Sequence, residues 1–182
     1  SDPVKKNTSG LMAGRIVGFW KQPSGQLAYW GYLPKHLLGN RENEKKYLFS
    51  SGTNKSIPYS CRVLSTNMPP VLVEGTFDSD TLSLIGISSG ATGTNRITES
   101  QIDAMISKGI NKCIFMTDGD YAGFSGGVIS VLNCANKGME CSVISTPPSL
   151  DDADKMRQEG KLELLSDLIS NSYSPGEYLA KA

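Results

Sequence analysis

The sequence is poor in the residues that bind transition metals. It contains one histidine, His36, and four cysteines that form no C-x-x-C pair. A single histidine excludes a His-His metal site and gives no support to a Ser-His-Asp triad, and the cysteine spacing fits no zinc site. We therefore expect free thiols at Cys61, Cys113, Cys134 and Cys141.

An excess of charge and long apolar runs are also missing. The 18 basic residues balance the 18 acidic ones, which argues against a protein wholly dedicated to binding nucleic acid, although a zero sum leaves room for a local basic patch. No apolar run approaches the ~18 residues of a membrane span, and residues 1–10 are too polar for a signal peptide. The chain begins Ser1-Asp2-Pro3, without methionine. We expect a cytoplasmic protein with no membrane anchor, excised from a longer chain.

The first third of the chain favours β-structure. Two β-branched and aromatic runs, RIVGFW and LAYWGY, flank a Pro-Ser-Gly turn, which predicts a hairpin over residues 15–32. Its Tyr29-Trp30-Tyr32 cluster favours packing within the strands over stacking on nucleic-acid bases. Residues 38–59 are rich in loop formers, with a basic and aromatic group at 45–47. We assign residues 1–68 to a small β-rich, basic subdomain.

The pattern changes after the Pro-Pro pair at 69–70. From Val71 onward, short apolar runs typical of buried parallel strands alternate with segments typical of helices. Thr98 and Gln101 form a capping box that opens one helix, and Gly138 ends another. This order predicts an α/β domain with a mainly parallel central sheet flanked by helices. We place it at residues 69–148, followed by an acidic loop and short C-terminal helices at 149–182.

Acidic residues follow three of the predicted strands. Glu74 closes VLVE, Asp118 and Asp120 close CIFMTDGD, and Asp152 and Asp154 follow ECSVIST. In an extended D-G-D segment both carboxylates point to the same side, and oxygen ligands without histidine or cysteine suit Mg²⁺ or Mn²⁺. A single D-x-D pair is more often a turn or a solvated edge than a metal site. The prediction therefore depends on finding Glu74 and both D-x-D pairs at the carboxyl edge of one sheet. The glycines at 123, 126 and 127 indicate close helix packing, because no G-K-[ST] follows them.

The motifs resemble a known family. V-L-V-E-G-T-F-D and F-M-T-D-G-D-Y-A-G are similar to the Toprim signature, and the likeness extends to DnaG-type DNA primases. Residues 91–94 resemble the L-G-T segment of those enzymes, and Asp152-Ala153-Asp154 with Gly160 resembles their D-P-D-E…G ending. Upstream, Gly14-Arg15-Ile16 and Lys46-Tyr47-Leu48 resemble the segments that precede Toprim. These primases carry a further lysine where this chain has Ile57-Pro58-Tyr59. Their N-terminal basic subdomain is truncated or absent in this chain.

This resemblance implies roles for individual residues. Glu74 would act as general acid or base on a 3′-hydroxyl, or help to hold a metal, and Asp118 and Asp120 would bind Mg²⁺ (or Mn²⁺). The residues completing a second metal position would be Asp78, Asp152 and Asp154. Those contacting nucleotide or nucleic acid would be Arg15, Lys46, Tyr47, Gly93 and Thr94. The alternatives are a solvated surface lysine at Lys46 and, for Asp78, an ordinary helix-start residue.

The function implied is that of a DNA primase catalytic core. Such a core makes short RNA primers by metal-dependent nucleotidyl transfer, using a single-stranded DNA template and ribonucleoside triphosphates. We expect a replicative helicase to bind through regions outside this chain. Two alternatives remain open: a Toprim nuclease of the RNA-maturase kind, which uses the same carboxylates for hydrolysis, and a non-catalytic nucleic-acid-binding Toprim module.

Overall fold

The computed structural model describes residues 12–33, 45–150 and 152–181, and the chain divides into two compact units, Ser1–Asn54 and Lys55–Ala182. The predictions for His36 and for the polar residues 1–10 lie outside the described residues. The domain boundary drawn at 68 and 69 stays a prediction. In the structure, residues 55–68 belong to the second unit, where Cys61 and Leu64 are buried beside Leu72.

The first unit contains a three-stranded antiparallel sheet in the order β1-β2-β3. Its strands are β1 (Ile16–Lys21), β2 (Leu27–Tyr32) and β3 (Tyr47–Phe49). The first two form the predicted hairpin. Its turn uses Gly25 at a φ of +87°, a conformation that glycine adopts without a steric penalty. The short third strand was not predicted, because three residues carry too little periodicity to be distinguished from a loop.

Side chains of the first unit alternate between the two faces of its sheet. Trp20 and Trp30 lie on one face and are fully buried, and rings of β3 pack beside them. Phe19 and Tyr29 lie on the opposite face and are about half exposed. Both rings pack against neighbouring strands as predicted, but only Trp30 is buried; Tyr29 packs against Phe19 on the exposed face, because consecutive residues of a strand point to opposite sides.

The second unit is an α/β domain built on a four-stranded parallel sheet in the order β5-β4-β6-β7, as the alternating sequence pattern predicts. Its strands are β4 (Val71–Val73), β5 (Ser89–Ala91), β6 (Lys112–Thr117) and β7 (Glu140–Ser145). One buried cluster around Leu72 and Phe115 covers one side of the sheet, and another around Val73 and Met116 covers the other. Burial on both faces accounts for the continuous apolar runs in the sequence.

The described part of the second unit has a short 3₁₀ helix at Cys61–Val63 and six α-helices: α1 (Thr76–Leu84), α2 (Glu99–Ile106), α3 (Tyr121–Lys137), α4 (Ala153–Gln158), α5 (Glu163–Ser170) and α6 (Pro175–Leu179). The capping box at Thr98 and Gln101 is present, and Gly138 ends α3 in the left-handed conformation. Helix α4 lies in the segment predicted to be an acidic loop. Its N-cap is Asp152, so the acidic stretch begins a helix.

Close packing of α3 accounts for its glycines, as predicted. A Cβ at Gly126 would overlap the backbone carbonyl of Asn95, and one at Gly127 would overlap the Tyr178 ring. All four cysteines carry free thiols. None of the helices in the described ranges is both long and apolar enough to cross a bilayer.

Candidate active site

The carboxyl edge of β4 carries Glu74, with Lys55 beside it. The Glu74 backbone oxygen accepts a 3.0 Å hydrogen bond from the Gly93 N–H, and Lys55 Nζ donates to the Gly93 oxygen at 3.1 Å. Partial burial lowers the pKa of Lys55, and the negative charge of Glu74 opposes that shift. Gln101 Nε2 donates to the backbone oxygen of Lys55 and so fixes this part of the chain. The fold therefore places a cation next to Glu74.

Lys55 was missed by the sequence analysis. The resemblance to primases pointed to Ile57-Pro58-Tyr59 as the place where a further lysine is lacking. In the structure a lysine only two residues earlier reaches the edge of the sheet. The signal available was a lysine in a polar loop, which without the fold is indistinguishable from a solvated surface residue.

Asp118 and Asp120 lie where β6 gives way to α3. The strand ends at Thr117, and Asp120 is the N-cap of α3, its Oδ1 accepting a 2.7 Å hydrogen bond from the Gly123 N–H. A Cβ at Gly119 would lie 2.8 Å from the Thr146 carbonyl oxygen, so only glycine fits this turn. Asp120 keeps an extended backbone, with φ of −119° and ψ of 175°, and α3 begins at the next residue. That the two carboxylates of D-G-D point to the same side stays a prediction.

Three further aspartates meet at the starts of α1 and α4. Asp78 lies in the first turn of α1, and its Oδ1 accepts a 2.9 Å hydrogen bond from the Asp154 backbone N–H. Asp152 caps α4 through a 2.7 Å bond from the Lys155 N–H. Burial, and then the negative charge of Asp152, raise the pKa of Asp78 to about 8, with smaller contributions from Asp118 and Asp154. The fold therefore brings carboxylates from three separate segments together, and we call Asp78, Asp118, Asp152 and Asp154 the acidic cluster.

Asp154 differs from the other members of this cluster in its partners. Its Oδ1 accepts hydrogen bonds from Arg157 Nε and Nη2, both at 2.9 Å, and its Oδ2 accepts one from Gln158 Nε2 at 2.7 Å. Oδ1 also accepts a 3.3 Å hydrogen bond from Thr81 Oγ1 of α1, so both oxygens are engaged. Its assignment to a metal position stays a prediction and would require the release of Arg157.

The donor set of the acidic cluster suits a hard divalent cation. Its ligands are all oxygen, and the raised pKa of Asp78 arises in part from mutual repulsion that a cation would relieve. Within the ranges that the structure describes, no three His, Cys, Asp or Glu side chains are already arranged to hold a metal ion. The residues therefore fit Mg²⁺ or Mn²⁺ by chemistry, and the side chains must adjust to bind it.

Two buried hydroxyls belong to the same edge of the sheet. Thr76 Oγ1, just after β4, and Thr146 Oγ1, just after β7, are buried and have no hydrogen-bond partner in the described structure. Leaving such a group unsatisfied costs about 1–3 kcal/mol. Neither threonine was singled out from the sequence.

The nucleic-acid contacts predicted in the first unit have different surroundings. Arg15 is only 3% exposed, and its Nη1 donates to the backbone oxygens of Gly31 and Lys46 at 3.4 and 3.2 Å. This burial contradicts a surface contact, because the guanidinium connects backbone segments of the sheet. Lys46 is exposed, and its Nζ lies 5.8 and 5.9 Å from the ring centres of Tyr32 and Tyr47, within cation–π range.

Of the remaining predicted contacts, Tyr47 is half-buried and packs against the Tyr32 ring with centres 5.2 Å apart. Gly93 and Thr94 follow β5 in the second unit. Gly93 has a φ of +70°, and Thr94 is exposed. Gly93 thus lies beside Glu74 and Lys55, and the loop that carries it borders the same edge of the sheet.

Solved structures share this fold. The chain superposes on the E. coli primase catalytic core with a TM-score of 0.74 at 18% identity, covering 94% of this chain and 56% of that one. For the zinc-binding and RNA polymerase domains of the Aquifex aeolicus primase the TM-score is 0.72 at 23% identity, with 90% and 41% covered. For a DnaG primase catalytic domain bound to single-stranded DNA it is 0.73 at 20% identity, with 94% and 56% covered.

These likenesses establish the architecture as that of DnaG catalytic cores. The chain spans between 41% and 56% of the length of the three structures. No model of a known protein family matches the sequence, and no curated protein is significantly similar to it.

Proposed function

We propose that this chain is the catalytic core of a DNA primase. It would synthesise short RNA primers on a single-stranded DNA template from ribonucleoside triphosphates by metal-dependent nucleotidyl transfer. The observation that supports this most directly is that Asp78, Asp118 and Asp152 lie together at the carboxyl edge of a Toprim-like parallel sheet. Glu74 follows β4 at the same edge. The fold shared with primase cores, one of them bound to single-stranded DNA, supports the choice of reaction.

Each residue of the edge has a role in this proposal. Bound Mg²⁺ or Mn²⁺ would supply charge neutralisation at the triphosphate and at the departing pyrophosphate. Asp118 and Asp120 would provide its oxygen ligands, and Asp78, Asp152 and Asp154 would complete a second metal position. Glu74 accepts the proton of the attacking 3′-hydroxyl. Lys55 holds a positive charge beside Glu74, in position to contact a phosphate group.

The other predicted contacts complete the proposal. Lys46 contacts template phosphate, and the loop of Gly93 and Thr94 borders the nucleotide. A replicative helicase binds regions outside this chain, and the protein acts in the cytoplasm.

The test is template-directed synthesis by the purified chain. With Mn²⁺, ribonucleoside triphosphates and a concentrated single-stranded template, we expect short oligoribonucleotides, and Glu74→Gln should abolish them, because proton transfer at a positioned carboxylate contributes about 10²–10⁴-fold. Asp80→Asn is the matched control. Asp80 lies in the same helix as Asp78, but it accepts a hydrogen bond from Tyr59 and lies outside the acidic cluster, so synthesis should persist.

The same assay separates the two alternatives. Cleavage of RNA or DNA in Mn²⁺ without any template-dependent product would replace the primase proposal with a nuclease that uses the same carboxylates for hydrolysis. Nucleic-acid binding without either reaction would leave a non-catalytic module. The acidic cluster makes the last outcome the least expected, because mutually repelling carboxylates destabilise a fold that does not use them.

A further inference from the structure

The outward face of the three-stranded sheet in the first unit is unusually apolar for an exposed surface. Phe19, Leu27 and Tyr29 are 53%, 52% and 48% exposed, and the exposed Lys21 is the register partner of Leu27. We call these four residues the outer sheet face. Large side chains that are grouped and left in water mark a binding surface more often than single exposed apolar residues do.

The two rings of the outer sheet face are held by backbone pairing. Phe19 and Tyr29 are register partners on neighbouring strands, with ring centres 5.3 Å apart and planes inclined by 56°. The Tyr29 backbone is also held by Ser50, since its N–H donates to Ser50 Oγ at 3.0 Å and its carbonyl accepts from the Ser50 N–H at 2.8 Å. Rings at this inclination do not cover each other face to face. A planar ligand can therefore stack on them without prior rearrangement of the sheet.

The net charge of the unit that carries these rings, with Lys21 on the same face, favours an anionic partner. The sequence of the first unit contains eight basic and three acidic residues, a net charge of +5 in a chain that is neutral as a whole. Among its described residues the charged ones are all basic: Arg15, Lys21, Lys45 and Lys46. A second copy of this unit would be repelled. A polyanion that also presents planar apolar groups is attracted, and single-stranded nucleic acid has both properties.

We propose that the outer sheet face binds single-stranded DNA by stacking bases on Phe19 and Tyr29, with Lys21 contacting phosphate. This inference rests on the proposed function in one respect only, since it names a surface that receives the template. It assigns the base contact to rings that are separate from the Trp30 and Tyr47 cluster on the opposite face. Stacking accepts any base, as a primer-synthesising enzyme that moves along a template requires.

The experiment compares two labelled oligonucleotides of equal length and charge, one of deoxythymidine and one of abasic deoxyribose phosphate. Binding is followed by fluorescence anisotropy in EDTA, without nucleotides. For the Phe19→Ala/Tyr29→Ala variant we expect the affinity for the thymidine strand to fall about tenfold or more, because each stacked base contributes measurably to binding. The affinity for the abasic strand should change less than about twofold, since Lys21 and the phosphates are untouched.

Two control variants separate stacking from loss of apolar surface. Leu27→Ala removes an equally exposed side chain that has no ring and should leave thymidine binding within about twofold of the parent. Tyr29→Phe retains the ring and should bind like the parent. Because all these side chains are exposed, melting temperatures should stay close to that of the parent.

Three results would overturn the inference. The first is unchanged thymidine affinity in the double alanine variant, and the second is an equal loss with both oligonucleotides. The third is a parent that is dimeric by light scattering and becomes monomeric in the double variant while DNA binding is unchanged, which would make the face a contact between copies. Glu74→Gln separates the two proposals, because it should abolish primer synthesis and leave thymidine binding intact.

Discussion

Replacing Asp78 with asparagine removes one proton-binding group from the acidic cluster and keeps a side-chain oxygen that can accept the Asp154 N–H. The pKa of Asp78 rises from 3.8 to about 8 on folding, owing to burial and to the charge of Asp152. Between those pH values the folded state binds more protons than the unfolded state. The free energy of unfolding therefore falls as pH rises from about 4 to about 8, and the full penalty applies above pH 8.

The size of this effect follows from the displacement of the pKa. One pKa unit corresponds to about 1.4 kcal/mol. A rise of about four units would therefore destabilise the folded state with ionised Asp78 by about 6 kcal/mol if the structure did not relax. Movement of the neighbouring carboxylates and binding of solvent cations reduce the repulsion. We therefore expect Asp78→Asn to be more stable than the parent by about 2 kcal/mol at pH 8–9 and nearly equal to it near pH 4.

Urea unfolding at pH 4 to 9 in EDTA measures this difference. Asp103→Asn is the control, because Asp103 is exposed and pairs with Lys137 away from the cluster, so its difference from the parent should not grow between pH 6 and 9. Millimolar Mg²⁺ should reduce the advantage of Asp78→Asn at pH 8, since a bound cation relieves the same repulsion. A difference that is flat with pH, or a destabilised Asp78→Asn at pH 8, would refute the argument.

Three other predictions follow from the site and from the packing. Asp118→Asn/Asp120→Asn should fold and should lose most of the Mn²⁺-dependent rise in melting temperature, and an undiminished rise would remove these residues from the metal site. Lys55→Met should lower kcat/KM for primer synthesis more than about tenfold with little change in melting temperature; unchanged kinetics would make Lys55 structural only. Gly126→Ala should destabilise by about 1–3 kcal/mol in thermal unfolding, whereas Gly176→Ala, where a Cβ meets nothing within 4 Å, should be nearly neutral.

The regular part of the second unit could be predicted because its elements carry strong local signals. The run KCIFMT is continuous and apolar because β6 is central in the sheet, and the Thr98 capping box and Gly138 mark helix ends through backbone hydrogen bonding. Strand β3 and helix α4 carry weaker signals. A three-residue strand has no usable period, and the helix after Asp152 is polar enough to be taken for a loop.

The site was less predictable, because distance in space depends on the fold. Lys55 and Glu74 are 19 positions apart in sequence, and only the return of the chain to the edge of β4 and β5 brings them together through Gly93. The convergence of Asp78 with Asp152 likewise depends on the approach of α1 and α4. A pattern of acidic residues at strand ends indicates which edge of the sheet carries the site, but it does not distinguish the carboxylates that meet there.

The strand-to-helix junctions explain why these motifs are ambiguous in sequence. A helix that begins directly after a parallel strand needs an acceptor for its first N–H groups, and an aspartate supplies one. Asp120 and Asp152 do so for α3 and α4, so their presence is accounted for by folding alone. Asp78 also serves the start of α4, because its Oδ1 accepts the N–H of Asp154 in the first turn of that helix. The crowding of Asp78 with the charges of Asp152 and Asp118 is not needed for that bond, and it is therefore the stronger indication of a site that binds a ligand.

The division of charge between the two units implies that the divalent cation is needed for substrate binding as well as for the reaction. The second unit has ten basic and fifteen acidic residues, a net charge of −5, and the acidic cluster adds negative charge at one edge of its sheet. A nucleoside triphosphate or a DNA strand approaching that edge meets like charge, so the proposed reaction requires a divalent cation for binding as well as for chemistry. The first unit, at +5, attracts the same substrates without a cation. DNA binding in EDTA should therefore depend on the first unit, and nucleotide binding should require Mg²⁺ or Mn²⁺.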